Sequence, residues 1–245
     1  MGRYLVMATA IAIYFAFFGA FLYLIGFVGG FDFMPTHINK GLAASPAMAA
    51  IVDLALIALF GIQHSVMARP GFKARWTRIV PAALERSIYC LATVVVLLLM
   101  FRFWHPIEGT VWSIANETGR MIMFGLFFLG WGILFVSTWL LNHFELFGLQ
   151  QAWQNLNGTQ PAPPKMRTPL FYKVVRHPLY TGFFIGFWAT PDMTYGHLLF
   201  AAGMTVYILI GIAHEERDLV DVFGEDYVTY RRTVGAFIPG LGKKA

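Results

Sequence analysis

The chain has 245 residues, of which 58% are hydrophobic, 17% aromatic and only 13% charged, against roughly a quarter charged in an ordinary soluble domain. That balance, a mean hydropathy of +0.61 and a single cysteine, Cys90, exclude a water-soluble protein, a disulfide-stapled secreted scaffold and a disordered regulator. An integral membrane protein remains, and in such a chain the formal net charge of +5 reports topology before it reports a partner.

A helix crossing about 30 Å of hydrocarbon needs about 20 apolar residues. Spans are therefore expected near residues 4–28, 46–67, 84–104, 120–141 and 193–213. The first holds no charge from Tyr4 to Val28; it is too long, and wrongly flanked, for a cleaved signal sequence. The second is interrupted by Asp53 and ends on Gln63-His64, and the third lengthens because Arg86 and Arg102 can snorkel. The connection 142–177 reads as a loop, the longest non-apolar stretch, with a turn at Pro161, Pro163 and Pro164. Pro178 to Thr190 makes only ~20 Å of helix, so it is expected as one short arm of a hairpin turning at Pro191 to Tyr195. The tail 214–245 should prolong the last helix to Arg232, before Gly235 and Pro239 end it. The fold class expected is all-α: a polytopic integral membrane helical bundle of five clear spans, one short hairpin helix and a C-terminal cytoplasmic helix, forming one domain over 1–245.

The basic residues test this map. Fifteen of the 18 lysines and arginines fall in the N-terminus, the second and fourth connections and the tail; Lys40, Arg102 and Arg120 fall on the other side. The positive-inside rule then puts both termini in the cytoplasm. The charge is a topological bias, and no nucleic-acid partner is implied.

Two polar clusters meet on that cytoplasmic side. Arg176-His177-Pro178-Leu179-Tyr180-Thr181-Gly182 opens the short helix, where Pro suits the first turn and the free N–H groups and positive dipole end favour an anion such as a carboxylate. Glu215-Glu216-Arg217-Asp218 leaves the last span. Together they offer donors for a carboxylate and acceptors for an ammonium or for ribose hydroxyls. Read on composition alone, Arg176 is one more inside-positive residue and the glutamates cap a helix end.

The first cluster, followed by Glu215-Glu216 and Phe223-Gly224-Glu225-Asp226-Tyr227-Val228-Thr229-Tyr230-Arg231, resembles the C-terminal signature of the isoprenylcysteine carboxyl methyltransferase superfamily. Gln63-His64-Ser65-Val66-Met67-Ala68-Arg69-Pro70, Glu85-Arg86-Ser87 and Asn142-His143-Phe144-Glu145-Leu146-Phe147-Gly148-Leu149 are similar, within it, to bacterial methanethiol S-methyltransferases. The resemblance spans most of the chain from residue 61 onward, and the first span carries none of it. It implies methylation of a small volatile thiol, methanethiol to dimethyl sulfide, with S-adenosylmethionine as cofactor, in a bacterial inner membrane and without a soluble nucleotide-binding fold. Arg176, His177, Tyr180, Gly182, Glu215 and Glu216 carry over as cofactor-binding residues.

Methyl transfer from a sulfonium is an in-line displacement that needs near-attack geometry and no metal. A simple thiol is mostly protonated at neutral pH, with a pKa of about 8.5, and the thiolate is the nucleophile. His64 and His143, each at the cytoplasmic end of a span, are the candidate bases; the structural alternative is a helix-end histidine bonded to a carbonyl. Asp53 lies on the face of His64 but ~16 Å along the axis, and is expected to pair with another helix or with water on the outer side. Three other readings stay open. They are the same scaffold acting on a prenylcysteine carboxylate or lipid amine, a non-enzymatic haem protein with His64 and His143 as axial ligands, and a transporter.

Overall fold

The computed structural model describes residues 2–161 and 163–243. Residue 162, inside the expected proline turn, lies outside the described residues. The helices are α1 (Arg3–Gly29), α2 (Pro46–Ala68), α3 (Pro70–Trp76), α4 (Glu85–Phe103), α5 (Glu117–Leu141), α6 (His143–Leu146), α7 (Leu149–Asn157), α8 (Pro178–Trp188), α9 (Tyr195–Phe223) and α10 (Glu225–Thr233). Strands β1 (Thr110–Ser113) and β2 (Asp192–Thr194) form a two-stranded sheet. Among the described residues, five helical stretches, those of α1, α2, α4, α5 and α9, are long and apolar enough to cross a bilayer. The chain is a polytopic integral membrane protein of the expected all-α class.

Its residues group into two compact units, 2–109 with 142–161 and 194–199, and 110–141 with 163–193 and 200–243. In the first, α4 packs on α1 and α2, and α7 packs on α1. Val6 and Ala10 of α1 meet Leu84 and Ala152 in one buried cluster, and Ile13 meets Tyr89 and Cys90 in another. Cys90 is therefore packing, as an apolar helix interior favours. The buried Asp53 accepts the backbone N–H of His105 at 2.9 Å, so its partner is the chain just beyond α4.

In the second unit α5 and α8 form the most extensive helix pair, and glycines make it possible. A Cβ placed on Gly182 would lie 2.6 Å from the carbonyl of Gly130 and 2.7 Å from the nitrogen of Leu134. Both atoms are backbone and cannot step aside. Trp131 then fills the flank, edge-on to Phe183 and Phe187. Gly182→Val is expected to destabilise the protein by about 1–3 kcal/mol or more through overpacking, seen as a lowered melting temperature in detergent; an unchanged melting temperature would refute the glycine contact.

Three expectations need correction. The connection 142–177 is not a plain loop: it holds α6, α7 and a tight turn at Leu170–Lys173. These helices are too short for a composition scan, and α7 is bounded by glycines at positive φ, Gly148 (+89°) and Gly158 (+68°). The hairpin after α8 is a strand, tied by Ser113 to Asp192 at 2.6 Å and Arg120 to Asp192 at 2.7 Å; the Arg120 hydrogen bond holds the Asp192 carboxyl below its usual range. Finally, the last helix does not run unbroken to Arg232. It stops at Phe223, and Gly224 at φ +59° turns the chain into α10.

Candidate cofactor site

Within the second unit, Pro178 occupies the first turn of α8 and His177 is its N-cap. The segment before it pairs with the tail. Val175 bridges Gly235 in parallel, the N–H of Arg176 donates to Gly235 O at 2.9 Å, and that of His177 donates to Ala236 O at 3.0 Å. The Thr181 hydroxyl donates to Phe237 O at 2.6 Å. Residues 234–242 are thus strapped across the start of α8.

Arg176 is buried, 3% exposed, and its guanidinium is fully engaged. Its Nε donates to Glu216 Oε1 at 2.8 Å and Nη2 donates to the same oxygen. The remaining donors reach the carbonyls of Arg231 (3.3 Å), Val234 and Gly242 (3.0 Å). Arg231 adds its charge 3.9 Å from Glu216 Oε2. Glu216, 1% exposed, is therefore the anion that this helix entrance holds, and Arg176 positions the tail. The sequence reading gave that anion place to a ligand; the protein's own carboxylate takes it.

Glu215 is different. It precedes Glu216 by one residue on α9, a rotation of about 100°, and its side chain is 45% exposed. Its carboxylate is 3.6 Å from His177 Nδ1 and hydrogen-bonds with the Tyr180 hydroxyl. His177 Nε2 lies 3.3 Å from Glu216 Oε1, so the imidazole bridges the two glutamates. Burial alone would lower its pKa; the hydrogen bonds and charges of Glu215 and Glu216 outweigh burial and raise it.

Sequence reasoning missed a ring of tyrosines. The Tyr230 hydroxyl donates to the carbonyl of Tyr172, and the Tyr227 and Tyr230 rings meet at 5.8 Å. The phenols of Tyr172 and Tyr227 are buried with no hydrogen-bond partner. Burial first, then the nearby glutamates, pushes both well above the ordinary phenol range, and burial pushes Tyr230 up to about 12. Tyr227 and Tyr230 stand inside the quoted motif, but nothing there says that one hydroxyl is satisfied and the other is not.

The candidate bases belong to the first unit. His143 opens α6, buried, with Nε2 2.8 Å from the Tyr14 hydroxyl; burial lowers its pKa. Tyr14 lies on the span that matched no motif. His64 stacks on Phe60 and approaches Tyr89, ring centroids 4.8 Å apart, with Nδ1 3.4 Å from Thr93 Oγ1. The His143 ring is 4.8 Å from Phe147. Tyr89 and Phe147 border one apolar cluster, so the two histidines flank the same packed region.

This chain is 50% identical over 208 residues to the methanethiol S-methyltransferase of Pseudomonas deceptionensis, covering 85% of this chain and 79% of that one. Over all 245 residues it is 45% identical to the Crocosphaera subtropica enzyme of the same name, covering 96% of it. The chain belongs to the methanethiol S-methyltransferase family. Similarity to the Mycobacterium tuberculosis methanethiol S-methyltransferase is 44% identity over 98% of both chains. More distantly, 178 residues are 28% identical to Nurim of Danio rerio, 69% of this chain and 64% of that one. No protein-family model matches the chain, and no solved structure does. Membership in this methyltransferase family reaches through the first span, which carried no recognisable motif.

Proposed function

We propose that this chain transfers the methyl group of S-adenosylmethionine to methanethiol, releasing dimethyl sulfide, with the cofactor held around Glu215 in the second unit. Near full-length similarity to enzymes named for that reaction carries the reading. The residues present suit the cofactor: a half-exposed carboxylate stands ready for its cationic ammonium or ribose hydroxyls, among buried O–H donors that lack protein acceptors. Bound there, S-adenosylmethionine would supply a methyl group on a sulfonium for in-line displacement by a thiolate, with S-adenosylhomocysteine as the leaving group.

Each side chain has a distinct task in this reading. His177 and Tyr180 orient Glu215. Arg176 and Glu216 act indirectly, by holding the tail against α8. Gly182 also acts indirectly, by seating α8 against α5. His64 and His143 stay the candidate bases for a thiol proton, and the lowered pKa of His143 favours its accepting form. Fifteen basic residues of 18 on one side favour a bacterial inner-membrane protein with both termini cytoplasmic.

Detergent-purified protein given S-adenosylmethionine and methanethiol is expected to release dimethyl sulfide into the headspace, and to leave a prenylcysteine analogue unmethylated. Turnover of only the prenyl compound would replace this substrate with a lipid one.

A further inference from the structure

Two of the buried groups beside Glu215 have no assigned contact of their own. Tyr172 is 6% exposed and Tyr227 4% exposed, and neither phenol oxygen has a hydrogen-bond partner. Folded proteins rarely leave such groups unmade, and each exception calls for an explanation. Two in one cluster, on segments far apart in sequence but joined through Tyr230, share an explanation. Arg231 Nε, in the same cluster, also lacks a hydrogen bond.

Their chemistry narrows the ligand. Phenols held above their ordinary range stay protonated, so both offer O–H and seek an acceptor. Beside them Glu215 is an acceptor that is half exposed, while the charge of Glu216 is already matched by Arg176. Donors adjoining one available carboxylate complement a group that carries an anion and a cation on the same carbon. An α-amino acid is such a group.

We propose that Tyr172, Tyr227 and Glu215 form the receptor for the α-amino-acid end of the methyl donor. The two phenol O–H groups donate to its carboxylate, and Glu215 accepts from its ammonium. This assignment rests on the cofactor reading given above, and it adds to the cofactor site two residues that the motif comparison left without a role.

The test uses two ligands and three proteins. S-adenosylhomocysteine carries the amino-acid end; 5′-methylthioadenosine keeps the nucleoside thioether and lacks it. Calorimetric titration of the purified full-length chain, Tyr172→Phe and Tyr227→Phe, should find S-adenosylhomocysteine bound about tenfold more weakly by each variant, as loss of a charged hydrogen bond implies. Affinity for 5′-methylthioadenosine should not change. The ligand-free melting temperature should hold or rise, because phenylalanine removes an oxygen that has no partner in the protein. Equal S-adenosylhomocysteine affinity in wild type and both variants would overturn the assignment while leaving the cofactor site standing. A matching loss for 5′-methylthioadenosine would move the phenols to the nucleoside half and overturn it too, and a lowered ligand-free melting temperature would make them structural. A wild-type chain that binds neither ligand would remove the cofactor reading itself.

Discussion

Glu216→Ala is expected to unfold the end of the second unit where α9 meets the tail, at a cost on the order of 3–5 kcal/mol, the usual penalty for removing one partner of a buried ion pair. The Arg176 guanidinium would remain 3% exposed with no counter-charge, and His177 would lose one of the two carboxylates that raise its pKa. Arg176 also holds the carbonyls of Val234 and Gly242, so the damage should spread to the tail. Thermal unfolding in detergent should show the drop, and limited proteolysis should cut within residues 234–243 before the wild type is touched. Glu216→Gln keeps the shape and an acceptor oxygen, and should fall between the two. A melting temperature for Glu216→Ala within a degree of wild type would refute the idea that this pair anchors the tail.

Glu215→Ala, one residue away, should behave in the opposite way. Its side chain is 45% exposed and its partners are His177 and Tyr180, so truncation leaves no buried charge unpaired and stability should change little. Binding of S-adenosylhomocysteine should weaken at least about tenfold, the loss expected for a hydrogen bond to a charged group. If Glu215→Ala binds the ligand as wild type does, Glu215 is not part of the site. The pair of experiments separates anchoring from ligand contact on adjacent residues, which neither variant does alone.

The difference between the two glutamates could not be seen in the sequence. Both were placed at the exit of the last span, and the motif treats them as a unit. Which one turns inward depends on the rotation of α9, and the partner that captures Glu216 lies 40 residues away. Gly182 likewise reads as a motif residue, but its measurable property is a backbone approach to Gly130 and Leu134 of another helix. The role of Tyr14 against His143 was invisible for a further reason, since an apolar span offers no pattern by which a single tyrosine stands out. In each case the deciding contact joins residues distant along the chain.

By itself the sequence determined that the chain spans a membrane, where its five spans fall, and that the segment opening with Arg176-His177-Pro178 starts a short helix. Those features follow from local quantities: the length of uncharged runs against bilayer thickness, and the preference of proline for a helix start. Only the tertiary structure decided which polar groups are consumed and which remain for a ligand. Hydrogen bonds and buried ion pairs are saturable, so once Glu216 and three tail carbonyls have engaged Arg176, that arginine has nothing left to offer a ligand. The groups left open around it are the half-exposed Glu215 and the unpartnered phenols of Tyr172 and Tyr227.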